Sequence, residues 1–110
     1  NKPSISYKKR NEEPKPSISY KKKSKDFTFY FILGNAKFNA GNYYEAIGDY
    51  NKAIEIKPDY ASAYHNRANA KYNLGNRKGA CNDYKKARSL GLKESKDYLN
   101  SYNASWCRMM

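Results

Sequence analysis

The chain has 110 residues, with 22 Lys or Arg against 10 Asp or Glu, for a formal charge of +12. That length suits one small domain, and six glycines without a period of three exclude collagen. Phe27 to Leu33, the longest aromatic-apolar stretch, is far short of the roughly 18 to 20 residues of a membrane-spanning helix.

Residues 1–26 come first and hold nine basic and three acidic side chains, the densest basic excess in the chain. Lys2-Pro3-Ser4-Ile5-Ser6-Tyr7-Lys8-Lys9 returns unchanged as Lys15-Pro16-Ser17-Ile18-Ser19-Tyr20-Lys21-Lys22. Too few apolar side chains stand here to offset ~1 to 2 kcal/mol of backbone entropy per ordered residue. The segment is expected to be a disordered basic arm, either a duplicated linker or a contact for phosphates and bases. The basic amino end is not followed by an apolar stretch, so no secretory signal is expected. Asn1 in place of Met suggests a fragment or a processed form.

From Phe27 onward the chain repeats with a period of 34. Residues 27–60 and 61–94 share Tyr30/Tyr64, Asn35/Asn69, Ala36/Ala70, Gly41/Gly75, Ala46/Ala80, Asp49/Asp83, Tyr50/Tyr84 and Ala53/Ala87, among others. Tyr30, Leu33, Gly34, Lys37 and Phe38 have helical spacing, as do Ala46, Tyr50, Ala53 and Ile54. Gly41 is placed to end the first helix in a left-handed conformation. Asn42 and Glu45 form a reciprocal cap for the second. In the second unit Gly79 replaces Glu45, which predicts a weaker cap. Pro58 ends that run and Asp59 is expected to cap the next helix. Gly34, Ala46 and Ala53, matched by Ala68, Ala80 and Ala87, allow close helix approach beside the large tyrosines.

These residues resemble the tetratricopeptide repeat family. Tyr30, Leu33-Gly34, Gly41, Tyr43, Ala46, Tyr50, Ala53 and Pro58 stand at its consensus positions, while Arg67 and Leu92 replace its Leu and Pro. The resemblance implies an all-α superhelix of two helix-turn-helix units. Residues 95–110 would add a capping helix, with Tyr98, Leu99 and Tyr102 inward, and a loose tail from residue 103.

By resemblance the function is non-catalytic: a scaffold or adaptor that binds a peptide segment of a partner protein in a concave groove. The groove would be lined by Phe31, Asn35, Phe38, His65, Asn66, Asn69, Tyr72 and Asn73, with Lys37 and Lys71 nearby favouring an acidic peptide. One subfamily clamps a terminal carboxylate. Asn35, Asn66 and Lys96 match that clamp, but Phe31 and Asn100 replace two of its cations. Phe27, Phe29, Phe31 and Ile32 surround the first helix and predict self-association. The alternative is a nucleic-acid-associated protein that uses the basic arm, with the repeats for oligomerisation.

No catalytic set is expected. His65 lacks a nucleophile beside it, Glu45 and Asp49 suit a solvated face, and no phosphate-binding loop appears. With one His and two Cys, no metal or cofactor is expected. Cys81 reads as a small core residue and Cys107 as a tail thiol. Two unpaired thiols point to a reducing, cytoplasmic setting. Asn103-Ala104-Ser105 matches a glycosylation sequon, taken as chance without a signal peptide.

Overall fold

The computed structural model of the chain describes residues 26–110. The expectations for the basic arm, its duplication and its nucleic-acid contacts therefore lie outside the described residues, apart from Asp26. Asp26 caps the first helix: its Oδ1 accepts from the Phe29 amide at 3.0 Å, satisfying one of the orphan donors at the helix start.

Among the described residues six α-helices follow: α1 (Phe27–Asn39), α2 (Tyr43–Ile56), α3 (Ala61–Asn73), α4 (Arg77–Ser89), α5 (Lys93–Asn100) and α6 (Ser105–Arg108). A 3-10 turn (Tyr102–Ala104) joins the last two. Helix α1 packs on α2, α3 on α4, and α2 and α4 pack on the helices that follow them. The architecture is all-α: two helix-turn-helix units stacked in register and closed by a cap.

The turns follow the glycines. Gly41 and Gly75 take φ of 84° and 87°, where a Cβ would be strained. The small residues set the seam. Ala46, Ala53, Ala68, Ala80 and Ala87 are fully buried. A Cβ added at Gly34 would lie 2.7 Å from the Tyr50 ring. The small position and the large ring therefore fill one volume together.

The caps depart from expectation. Asn42 makes no side-chain cap bond, whereas Asn76 accepts from the Gly79 amide at 2.9 Å. A Cβ at residue 79 would lie 2.5 Å from the Asn76 amide nitrogen. The Asn76 amide thus occupies space that the glycine leaves open. Asp59 does not cap α3. Its carboxylate pairs with Lys57 at 3.1 Å, and the N-cap position belongs to Tyr60. The ion pair holds Asp59 below its ordinary carboxylate value.

The carboxyl end is not a loose tail. Shifted by a further 34 residues, the register runs Tyr30/Tyr64/Tyr98, Asn35/Asn69/Asn103, Ala36/Ala70/Ala104 and Phe38/Tyr72/Trp106. Helix α5, the turn and α6 together occupy the place of a third first helix, interrupted at Ser101. The interruption frees carbonyls that Arg108 takes up: its Nη1 donates to Leu99 O at 2.8 Å and to Ser101 O at 2.5 Å. Tyr102, at the position kept small by Gly34 and Ala68, points outward and is 87% exposed, contrary to the inward placement expected.

The cysteines are also paired, not free. Cys81 of α4 and Cys107 of α6 form a disulfide across 26 residues, with Cα atoms 5.4 Å apart. Both belong to the buried core with Ala68, Ala80, Tyr84, Leu99 and Ala104, against which Tyr98 and Trp106 pack. The sequence carried no second cue for this pairing, since two cysteines alone do not define a framework.

Candidate functional site

The first helices of successive units lie side by side, bridged by polar side chains. Asn66 of α3 donates from Nδ2 to Asn35 Oδ1 of α1 at 2.9 Å. His65 of α3 meets Ser95 Oγ of α5 at 2.6 Å through Nδ1. Each unit also ties its own second helix to this row. Tyr50 donates its hydroxyl to Asn35 Oδ1 at 2.6 Å, and Tyr84 donates to Asn69 Oδ1.

Burial pushes the Tyr50 phenol up to about 12 and raises Tyr84 as well. Both therefore stay protonated at neutral pH and act as donors. That fixes the two amides in the same sense: Oδ1 faces inward as acceptor, and Nδ2 remains to donate outward. Asn73 is turned to its own helix, donating to Asn69 O at 2.8 Å.

The aromatic residues divide. Phe31 packs against Tyr60 with ring centroids 4.9 Å apart and against Tyr50 at 6.0 Å. Phe38 stands edge-on to Tyr43 at 5.1 Å. Tyr72 lies 5.2 Å from Trp106 of the cap. The Arg77 guanidinium lies 4.7 Å from the Tyr72 centroid and 5.7 Å from Trp106. His65 stands edge-on to Tyr84 at 5.2 Å, and burial lowers its pKa below the ordinary imidazole value, against a raising influence from Glu94. Asn35 and Asn66 are thus bonded to each other, Asn69 is bonded within its own unit to Tyr84 and Asn73, and His65 and Tyr72 are tied to the cap.

The lysines expected beside the row are committed elsewhere. Lys37 Nζ lies 2.9 Å from Asp49 Oδ2, and this pairing raises the Lys37 pKa. Lys71 Nζ lies 3.0 Å from Asp83 Oδ2. Arg67, at the family's leucine position, grips Asp83 with Nε and Nη2, each at 2.8 Å, and reaches Asn51 of α2 at 2.7 Å. Asp49 and Asp83 are therefore buried, not on a solvated face. They bind the units internally, as a buried carboxylate must be paired to be tolerated.

The apolar surface expected on α1 is smaller than its composition suggests. Phe27 and Phe31 both pack on Tyr60, leaving Phe29 and Ile32 exposed. A shallow cleft of about 270 Å³ lies at the turn edge, lined by Gly41 to Glu45 and Leu74, and includes none of the row residues. Among the described residues no group of three His, Cys, Asp or Glu could hold a metal. None of the described helices is long and apolar enough to cross a membrane. The residue the sequence reading missed is Trp106, which packs on Tyr72; one further step of the 34-residue register points to it.

Stacked helical pairs with aligned first helices define a helical-repeat protein. Two family models match the chain, one described as TPR repeat over residues 34–75 and one described as Tetratricopeptide repeat over residues 61–91. Together they span more than half of it, and the chain belongs to the tetratricopeptide repeat family. No curated protein matches the chain.

Proposed function

We propose that the chain is a scaffold or adaptor module whose first helices hold an extended peptide segment of a partner protein in their concave groove. The observation that supports this is the paired orientation of Asn35 and Asn69. Tyr50 and Tyr84 occupy the two Oδ1 atoms and leave the Nδ2 donors outward. An extended peptide presents backbone carbonyls that such donors can bind. Its rise of about 3.3 Å per residue matches neighbouring helices about 8 to 10 Å apart in roughly three residues. The row is uncharged, so it favours backbone and apolar contacts over an acidic segment.

The test uses near-isosteric variants. Asn35→Asp and Asn69→Asp keep the oxygen that accepts from tyrosine and remove the outward donor. Peptides selected from a displayed library on the wild-type chain are expected to bind the double variant on the order of tenfold more weakly. Equal binding would remove the groove assignment.

A second reading concerns the open end of the stack. Phe29 and Ile32 are exposed on α1, while the matching end beyond α4 is covered by α5. Self-association through these two side chains follows, and sedimentation at rising concentration tests it. A strict monomer would count against it. A disulfide persists in oxidising surroundings, so we propose such surroundings for the folded chain.

A further inference from the structure

The second helices of the two units are the same element at successive positions, yet their outer faces carry opposite charge. Helix α2 exposes Glu45 and Glu55 with Lys52. Helix α4 exposes Arg77, Lys78, Lys85, Lys86 and Arg88, and its one acid, Asp83, is buried and bound by Arg67 and Lys71. A lysine-rich composition alone would have loaded both helices alike. Among the described residues none of the five α4 cations has a carboxylate within ion-pair distance. Two are steadied by aromatic faces. Arg77 lies over Tyr72, and Lys86 lies 5.9 Å from the Tyr64 centroid.

We propose that the outer face of α4 is a docking surface for an acidic polypeptide. Three features select this class. Lys78, Asn82 and Lys85 follow i, i+4, i+7 along one stripe, so the two lysines stand about 10 Å apart along the axis. A partner helix bearing Glu or Asp at the same spacing meets both at once. The exposed α4 residues include no large apolar side chain, which a membrane-surface helix uses for anchorage. None of them is aromatic, so bases of a single strand find no stacking platform there. The surface is distinct from the amide row, where Lys37 and Lys71 are paired with Asp49 and Asp83.

The full chain is titrated with a poly-L-glutamate peptide at low and at moderate salt. Lys78→Glu/Lys85→Glu is expected to weaken binding on the order of tenfold at low salt and to flatten the salt dependence. Lys78→Gln/Lys85→Gln falls between it and wild type. Lys8→Glu/Lys9→Glu, with the same change in net charge, is expected to stay within about twofold of wild type. Circular dichroism and thermal melts establish that each variant is folded. Equal weakening by the Lys8/Lys9 variant would reduce the effect to net charge and overturn the proposal. Tighter, α4-dependent binding of duplex DNA or of anionic lipid vesicles would overturn the choice of an acidic polypeptide.

Discussion

Reduction of the Cys81–Cys107 bond tests the account of the carboxyl end. The bond closes 26 residues of sequence. Constraining a loop of that size in the unfolded chain removes about 12 cal/mol/K of entropy, which stabilises the fold by ~3.5 kcal/mol at 25 °C. A domain of this size has roughly 5 to 10 kcal/mol in total, so the bond is a large share. In urea, with m near ~1 kcal/mol/M, the unfolding midpoint of the reduced chain should fall by about 3.5 M. Its melting temperature should drop by roughly 14 °C or more. The sulfurs belong to residues only 2% and 0% exposed. Reduction of the native chain should therefore be slow and should accelerate with urea as the cap opens. Cys81→Ala/Cys107→Ala should lose stability and no longer respond to reductant. The reasoning fails if the oxidised chain, once unfolded, titrates with two free thiols. It also fails if full reduction leaves the urea midpoint in place.

The tyrosines give an alkaline signature. The folded-state pKa of Tyr50 is raised from 10.0 to about 12, so its contribution is complete below pH 10 and is lost as pH rises toward 12. Urea midpoints should fall across that window, and Tyr50→Phe should lessen the fall. His65 has the opposite window. Its folded pKa is depressed by burial, so stability is retained above about pH 6.5 and declines as pH falls below it. His65→Gln should flatten that acid limb in chemical denaturation. Arg67→Leu restores the family's residue but leaves Asp83 with Lys71 alone and frees Asn51, and should cost about 1 to 3 kcal/mol in urea unfolding. Gly34→Ala places a methyl group against the Tyr50 ring and should cost about 1 to 3 kcal/mol. Gly48→Ala meets nothing within 4 Å and should gain roughly 0.5 to 1 kcal/mol by the same measurement.

The sequence by itself determined the repeat. A period of 34, small residues opposite tyrosines, and glycines at the turns are local or periodic properties, and each acts through geometry that hardly depends on the rest of the chain. That is why α1 to α4, their turns and the family could be read from residues 27–94. Tertiary structure decided what depends on partners distant in sequence. Lys37 and Lys71 have the same composition whether they face a ligand or a buried aspartate; only the approach of α2 and α4 settled that they pair with Asp49 and Asp83. Arg67 looked like a departure until Asp83 and Asn51 came within reach. The helix caps were decided in the folded chain too: Asn76 accepts from the Gly79 amide, whereas Asn42 makes no side-chain cap bond. Cys81 and Cys107 looked like unrelated thiols because a pair separated by 26 residues has no spacing signature. The fold of the cap brings them together, and with them a third copy of the first helix whose register was present in the chain but whose closure only packing supplied.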